Sequence, residues 1–424
     1  MLRFDASPVA GLLTMDAEIA VAELDAALSS LFVPNHQAVE IAARAMGMAQ
    51  AHHVRYYSDP ANFARGVFAT KSPLSPGRVP VCLTGLAGVG KSSLLSRIVA
   101  LMPAPCEVRV PQYSKYVIEA VWHYRVRGRP TLAQCYLDLL CPEDEGKNRY
   151  NARVLDELVR KRAYRHGVSM LVADELQFLT RSARANVLAT TFVLALADIG
   201  VPFIYGANYS LVRRLLARPQ EDIDRLLAHP IVLMPPASDS AEWRELLAQY
   251  TATLPGVLRI GREGDVEKIH FLTAGLPRKL KSLVLTAFRR MRSAGEKWID
   301  LVALERAYES EEFSTNRTEV VEINQALLTG NTRRRDLLCP LDLPKSSTAL
   351  AREAAVRARK EEMARKLAFA TQPKVERDRV AGPAPKEKRG ASGGRSRRRA
   401  APTLDEFRGT EELLSGASTR GDGS

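Results

Sequence analysis

The stretch that most constrains the fold is Gly85–Ser92, which reads GLAGVGKS and fits G-x-x-x-x-G-K-[ST]. An apolar, strand-like segment precedes it, and a segment with helical spacing, SSLLSRIVALM, follows it. The glycines allow a tight turn that points backbone N–H groups at phosphates, and the helix N-terminus adds its positive dipole end. We predict that Lys91 contacts the β- and γ-phosphates and that the Ser92 hydroxyl binds Mg²⁺. The other predicted binding residues of this segment are Gly85, Gly88, Val89, Gly90 and Ser93.

Charge is distributed unevenly along the 424 residues, which carry a formal net charge of +13. Residues 331–424 hold 22 Lys and Arg against 13 Asp and Glu, a net of +9, which leaves +4 for the first 330 residues. This asymmetry indicates that the C-terminal part binds a polyanion, either nucleic acid or an acidic partner.

The sequence gives no indication of secretion or of a membrane span. The N-terminus, MLRFDASPVAGLL, lacks the basic and then apolar order of a signal peptide. No apolar run approaches the roughly 18 residues that a membrane helix needs. The five cysteines are scattered without metal-ligand spacing, a pattern typical of reduced thiols in a cytosol. We expect a cytoplasmic protein without a membrane partner.

The middle of the chain alternates strand and helix patterns, which predicts an α/β fold with a parallel sheet covered by helices. The five predicted strands are Val79–Thr84, Glu107–Val110, Ser169–Asp174, Phe203–Ala207 and Ile231–Met234. Residues 111–168 are interpreted as a long insert between the second and third strands.

Helical and polar regions flank the predicted sheet and divide the chain into four parts. We predict a helical N-terminal segment at 1–76, the α/β nucleotide-binding domain at 77–236 and a helical lid at 237–330, whose four predicted helices lie between Ser238 and about Ser310. Residues 331–424 are predicted to form a basic and largely disordered tail, which contains the cluster Arg395–Arg399.

Two acidic residues follow a second buried strand pattern, SMLVADELQFL at Ser169–Leu179. Asp174 and Glu175 therefore lie at the carboxyl end of a strand, where ligands bind in open parallel sheets. We predict that Asp174 holds Mg²⁺ and that Glu175 orients and deprotonates an attacking water. The alternative is that two acidic residues simply end a strand. The preceding segment Gly85–Ser92, which we call the phosphate loop, predicts a phosphate and Mg²⁺ site that these carboxylates would complete.

Two further polar residues follow recognisable segments. In FIYGANY a strand ends at Asn208, which would lie near the phosphates if this strand is beside the loop strand. In GLPR, Arg278 stands in the first turn of a helix and could reach the γ-phosphate across the cleft. The alternatives are a turn-forming asparagine and a solvated arginine.

Together these segments resemble the AAA+ ATPases. Within that class, DELQFL with its Gln177, the segment up to GVPFIYGAN, and TAGLPRKLKSLVLTA are similar to the TnsC/TniB-type regulators of DNA transposition. The resemblance covers roughly Pro34 to Asn331. It implies a sheet order of 5-1-4-3-2 and an Mg²⁺-dependent ATPase whose Walker residues are Lys91, Ser92, Asp174 and Glu175. Asn208 would be the first sensor and Arg278 the second.

The same resemblance implies partners and an assembly. ATP would drive a homo-oligomeric ring or filament, hexameric per turn, on double-stranded DNA without sequence preference. The assembly would link a target-selector protein to transposase subunits and would disassemble on hydrolysis, in a bacterial-type cytoplasm at the nucleoid.

In such assemblies a neighbouring subunit supplies an arginine finger. The sequence offers Arg213, Arg214, Arg218 and Arg225. Arg225 is nearest the expected position before the last strand. It is followed by Leu226 and not by the phenylalanine of the family pattern, so an exposed helix arginine remains the alternative.

The predicted DNA contacts lie in the insert and would touch phosphates. They are Lys115, Arg125, Arg127 and Arg129, for which a solvated basic face is the alternative. At the level of function, the alternatives are another AAA+ DNA-handling ATPase of the origin-recognition or loader type, an ATP-switch signalling protein, or a scaffold that binds ATP without turnover.

Overall fold

A computed structural model describes residues 2–341 except 6, 110–114, 127–130, 141–151, 177–184, 263 and 330–331. All of these residues belong to one compact unit, Met1–Val356. Gln177, Arg127, Arg129 and the predicted tail cluster Arg395–Arg399 lie outside the described residues.

The strands form a five-stranded parallel sheet and a separate antiparallel pair. In chain order they are β1 (Val81–Gly85), β2 (Cys106–Arg109), β3 (Lys115–Ile118), β4 (Val121–Arg125), β5 (Met170–Asp174), β6 (Phe203–Asn208) and β7 (His229–Leu233). The parallel sheet has the order β4-β5-β6-β1-β7, and β2 pairs with β3. From β7 to β4, this is the predicted order 5-1-4-3-2, which is confirmed. The segment that serves as strand 2 in this order is β4, and not the predicted Glu107–Val110.

The prediction was wrong about which segment forms the second strand of the parallel sheet. Residues 106–109 do form a strand, but it pairs with β3 in an antiparallel hairpin. The edge position beside β5 belongs to β4, which lies within the predicted insert at 111–168. The burial pattern of β4 explains why it occupies this position. Trp122 and Tyr124 are buried whereas Arg125 is exposed, which is the alternation of a half-buried edge strand.

Helices surround this sheet. In chain order they are α1 (Ala17–Ser30), α2 (His36–Tyr57), α3 (Pro60–Val67), α4 (Lys91–Leu101), α5 (Leu132–Leu140), α6 (Ala152–Arg165), α7 (Ala185–Ala197), α8 (Tyr209–Leu216), α9 (Gln220–Leu226), α10 (Ala241–Thr253), α11 (Asp265–Thr273), α12 (Pro277–Ser293), α13 (Leu301–Glu309) and α14 (Ser314–Thr329). Within the described ranges, no helix combines the length and apolar character required to cross a membrane.

The sheet has a hydrophobic core on each face because successive strand residues point to opposite sides. Leu83 and Val172 pack with Leu95 of α4 on one face, in a core that continues into α2 and the helical lid. Cys82 and Tyr205 pack on the other face, in a core built from helices α5 to α9. The result is a three-layer arrangement in which α4, the helix that follows the phosphate loop, is anchored under the sheet.

The helical lid consists of α10 to α14 and includes one helix that was not predicted. The four expected helices are present as α10 to α13, and α14 (Ser314–Thr329) follows them. The N-terminal helix α1 packs against α10 and α12, so residues far apart in sequence share one surface of the lid. The predicted domain boundaries at 76, 236 and 330 fall between elements and stay predictions.

Candidate active site

The carboxyl ends of the parallel strands bring the predicted residues to one edge of the sheet. Gly85 at the end of β1 is the register partner of Asn208 in β6 and of Leu233 in β7. Asp174 at the end of β5 is the partner of Arg125 in β4. Because parallel strands end at the same edge, the phosphate loop, the acidic pair and the asparagine share one crevice.

The phosphate loop leads directly into α4. Gly90 stands just before the helix with φ of 108°, a left-handed conformation that suits glycine. Lys91 is the first residue of the helix and is 8% exposed. Its Nζ donates to the Gly85 and Leu86 carbonyl oxygens, each at 2.9 Å. Burial and the nearby Arg278 guanidinium lower the pKa of Lys91 to about 8, while Asp174 and Glu175 act in the opposite direction.

The acidic pair is held by a backbone turn at the end of β5. Asp174 is 5% exposed, and its Oδ1 accepts a hydrogen bond from the Glu175 N–H at 2.8 Å. Glu175 has φ of 63°, an uncommon conformation for a residue with a side chain. On the next strand, a β-carbon at Gly206 would lie 2.8 Å from Asp174 Oδ1, so the glycine makes room for the carboxylate. The strained turn and the glycine together fix the position of Asp174.

The lid reaches the phosphate loop through the first turn of α12. Pro277 occupies the start of the helix, a position where its fixed φ is favourable. The Arg278 N–H donates to the Gly88 carbonyl at 3.4 Å, and a β-carbon at Gly88 would lie 2.8 Å from the Arg278 β-carbon. The next residue, Lys279, is buried and ion-paired with Glu319 of α14 at 2.5 Å. This pair ties the start of α12 to the last helix of the lid.

These elements enclose a cavity of about 350 Å³. The predicted residues that line it are Gly88, Gly90, Lys91, Ser92, Ser93, Asp174, Glu175, Asn208 and Arg278. The structure thus brings together the phosphate loop, the acidic pair and both predicted sensors. Their individual roles stay predictions.

The donors at this cavity fit Mg²⁺ bound together with a phosphate. Among the described residues, no group of three or more His, Cys, Asp or Glu could hold a metal alone. Magnesium in phosphate sites uses one or two protein oxygens and takes the rest from phosphate and water. Asp174 and the Ser92 hydroxyl line the same cavity, and in the part of the chain that the structure describes Asp174 has no basic ion-pair partner.

Sequence reasoning missed the part of the cavity wall that comes from α1 and the lid. Leu28, Ser29 and Leu31 line it from the N-terminal segment, and Lys281 lines it from α12. Lys281 Nζ lies 2.7 Å from Asp25 Oδ1 and 2.9 Å from Ser29 Oγ, so α1 is fastened to α12 beside the cavity. The available signal for Lys281 was its spacing of one helical turn from Arg278.

A mainly apolar recess adjoins the phosphate loop at Val89 and Gly90. It lies between residues 31–38 and the start of the lid, and its lining includes Leu31, Val33, Val89, Leu233, Met234 and Pro277. A recess with a mainly apolar lining suits a nucleobase. Val89, a predicted binding residue, lines this recess, and its role stays a prediction.

Arg125 is located differently from the interpretation that placed it in an insert loop. It ends β4, its Nη2 donates to Ser96 Oγ at 3.1 Å, and it lines a cavity with Ser92, Asp174 and Glu175. Its neighbourhood is therefore the phosphate end of the candidate site. Lys115 begins β3 in the antiparallel pair. DNA contact by these two residues stays a prediction.

The candidate arginine fingers lie away from the cavity. Arg225 on α9 is half-exposed and lies 3.8 Å from Asp198. Arg218 pairs with Asp222 at 2.9 Å, and Arg213 donates to the carbonyls of Arg335 and Leu338. Arg225 is thus less engaged within its own chain than Arg213 or Arg218, and its role toward a neighbour stays a prediction.

No protein-family model matches the sequence, and no curated protein matches it. Among solved structures, the chain is similar to the Aeropyrum pernix ORC1 protein in complex with DNA, with 17% identity, a TM-score of 0.36 and 66% of each chain covered. It is also similar to domain III of the Thermotoga maritima replication initiation protein DnaA, with 17% identity, a TM-score of 0.37, and 65% of this chain and 92% of that one covered. For CDC6P from Pyrobaculum aerophilum the identity is 13% and the TM-score 0.41, over 65% of this chain and 68% of that one.

Proposed function

We propose that the chain is an AAA+ ATPase that hydrolyses ATP at the cavity described above. The observation that carries this proposal is the meeting of Lys91, Ser92, Asp174, Glu175, Asn208 and Arg278 in one cavity. These residues come from four separate segments, so their convergence is a property of the fold and not of a local motif. In the proposal the phosphates lie over α4 and the base occupies the apolar recess beside Val89.

The residues divide the chemistry of γ-phosphate transfer to water. Glu175 accepts the proton of the attacking water, while the bond between the γ-phosphorus and its bridging oxygen breaks. Lys91 and Arg278 offset the negative charge on the phosphate oxygens. Ser92 and Asp174 would hold Mg²⁺, which adds further charge neutralisation. Asn208, beside the loop strand, positions the water or the γ-phosphate.

We further propose that this ATPase is a DNA transposition regulator. ATP-bound subunits assemble on duplex DNA at the bacterial nucleoid, link a target-selector protein to transposase, and separate after hydrolysis. The motifs that resemble TnsC/TniB-type proteins and the net charge of +13 support this more specific function. Arg225 would then complete the site of the neighbouring subunit.

Glu175→Gln and Lys91→Ala separate hydrolysis from binding. We expect Glu175→Gln to retain ATP affinity and to lower turnover by about 10²–10⁴-fold, since it removes a general base. Lys91→Ala should weaken ATP binding by about tenfold or more, because a charged hydrogen bond contributes roughly 1.5–3 kcal/mol. Phosphate release and calorimetric ATP titration measure the two effects. Normal turnover in Glu175→Gln would refute its role as the base.

Negative-stain imaging tests the assembly. The full chain is mixed with duplex DNA and ATP, a non-hydrolysable analogue or ADP. Rings or filaments only with the triphosphates, and more persistent ones in Glu175→Gln, are the expected result. Oligomers that ignore the nucleotide would contradict the proposal, and addition of the transposase distinguishes it from a replication-type loader.

A further inference from the structure

A further cavity, of about 460 Å³, lies where the parallel strands begin, opposite their carboxyl ends. Val81 and His229, the first residues of β1 and β7, line it together with Pro202, which precedes β6. Helix α2 forms its other wall. Its basic residues are Arg44, His52, Arg55, Arg78 and His229, and we call this set the basic hollow.

The basic hollow carries positive charge without a matching carboxylate. Three arginines line it, and no Asp or Glu is among its described lining residues. Arg44 and Arg78 have no ion pair with any described residue, and the described partner of Arg55 is the Tyr56 ring, 5.4 Å away. Elsewhere on the surface, Arg218, Arg306 and Arg317 each have a carboxylate partner. Unpaired guanidinium groups that converge on one cavity favour an anionic ligand.

His52 supplies an independent indication of a ligand. It is 2% exposed, and neither ring nitrogen has a hydrogen-bond partner among the residues that the structure describes. Leaving such a buried group unsatisfied costs roughly 1–3 kcal/mol. Burial and the neighbouring Arg78, Arg55 and His53 lower the pKa of His52 to about 4, so the ring is neutral and retains one N–H donor. An acceptor oxygen in the cavity would satisfy that donor.

The geometry of α2 indicates that the ligand is extended. Arg44 and Arg55 are separated by three helical turns, so they lie on the same face about 16 Å apart along the axis. Anionic groups that repeat along an extended ligand match this backbone spacing. A strand with regularly repeated phosphates provides them, and guanidinium groups bind phosphate through two parallel hydrogen bonds.

We propose that the basic hollow binds the phosphate backbone of duplex DNA, with one phosphate at Arg78 and His52 and neighbouring phosphates at Arg44 and Arg55. This rests on the proposed function, which makes duplex DNA the partner, and it assigns a contact surface distinct from the predicted Lys115 and Arg125. Contacts to phosphates alone give no sequence preference.

The test measures how binding to labelled duplex DNA depends on salt. The full chain with a non-hydrolysable ATP analogue is titrated by fluorescence anisotropy at several NaCl concentrations. We compare wild type, Arg44→Ala/Arg78→Ala, and a control with the same charge change, Arg244→Ala/Arg290→Ala, two exposed lid arginines without described ion pairs. Loss of two phosphate contacts should lower the slope of log K against log [salt] by about 2 and affinity by tenfold or more.

The outcomes separate this proposal from the proposed function. The control should match wild type in slope, and ATP hydrolysis without DNA should be unchanged in both variants. If the hollow variant bound DNA like the control, the basic hollow would not be a DNA site, while the proposed function would stand. Reduced binding of labelled polyglutamate with unchanged DNA binding would assign the hollow to an acidic protein segment and overturn the proposal. A wild type that does not bind duplex DNA would contradict both.

Discussion

Gly88 brings the phosphate loop and the lid into direct contact. The space that its β-carbon would fill is taken by Arg278, whose β-carbon is 2.8 Å from the ideal position. Its φ of +83° is also one that side chains rarely adopt. Since the Gly88 carbonyl accepts a hydrogen bond from the Arg278 N–H as well, the loop and the arginine cannot move independently.

Gly88→Ala should therefore impair nucleotide binding more than its backbone strain explains. Gly77→Ala is the matched control, because Gly77 has φ of +80° but no described atom within 4 Å of its ideal β-carbon. Both variants carry the cost of a left-handed alanine, roughly 1–2 kcal/mol. We expect ATP affinity to fall about tenfold, or 1.4 kcal/mol, in Gly88→Ala alone. Equal affinities in the two variants, measured by calorimetry, would show that the contact with Arg278 does not matter.

His52 predicts a loss of stability on acidification. Its pKa is about 4 in the folded protein against an ordinary value of 6.5, so the unfolded chain binds more protons between these values. The contribution of His52 to folding stability is complete above about pH 6.5 and is lost progressively as the pH falls toward 4. The decrease from pH 7.5 to pH 5 should be about 2 kcal/mol larger in wild type than in His52→Leu. Urea unfolding at both pH values measures it, and identical pH dependence would contradict a buried neutral histidine.

Single residues were predictable where a short motif carries the chemistry. Lys91, Ser92 and Asp174 reach the same cavity because each follows directly from a strand–loop pattern. Lys281 at this cavity and Arg125 at the neighbouring one were not predicted there, since their positions depend on strand register and helix packing between distant segments. No local pattern contains that information.

At the scale of elements, α12 is held in place by a buried ion pair with α14. Lys279 Nζ lies 2.5 Å from Glu319 and 2.9 Å from Asn316 Oδ1, one residue from Arg278. Glu319→Gln leaves the ammonium group without its counter-charge and should destabilise the protein by about 3 kcal/mol. The double variant Lys279→Met/Glu319→Leu should recover most of that loss, because both charges are removed. Denaturant unfolding measures both, and a double variant no more stable than Glu319→Gln would contradict this account.

Strand β4 shows why element order was only partly predictable. Residues 106–109 and 121–125 both have strand patterns, and each forms a strand. Choosing which one joins β5 requires knowledge of a pairing between segments that are distant in the chain. Helix α14 was missed for a related reason, because its burial depends on α11 and α13.

At the scale of the whole molecule, the candidate site needs only part of the chain. Every described residue that lines the cavity of about 350 Å³, the phosphate cavity, lies between Leu28 and Lys281. Deletion of residues 372–424 should therefore change kcat and the KM for ATP by no more than about twofold. A twofold change corresponds to roughly 0.5 kcal/mol, the usual limit for changes away from important contacts. Steady-state ATP hydrolysis is the measurement. Loss of folding or of nucleotide binding in the truncated protein would place part of the site in that segment.

The end of α1 has a consequence for how the molecule unfolds. Because Leu28 and Ser29 share the phosphate cavity with the loop after β1 and with α12, one bound nucleotide touches the beginning, the middle and the later part of the described chain. A ligand that binds only the folded state adds about 2.7 kcal/mol at one hundred times its Kd. This extra stability is present only while α1, the phosphate loop and α12 are all folded around the nucleotide. Bound nucleotide should therefore make these three elements unfold in one cooperative transition. It should also slow amide hydrogen exchange in α1, which is far from the phosphate loop in sequence.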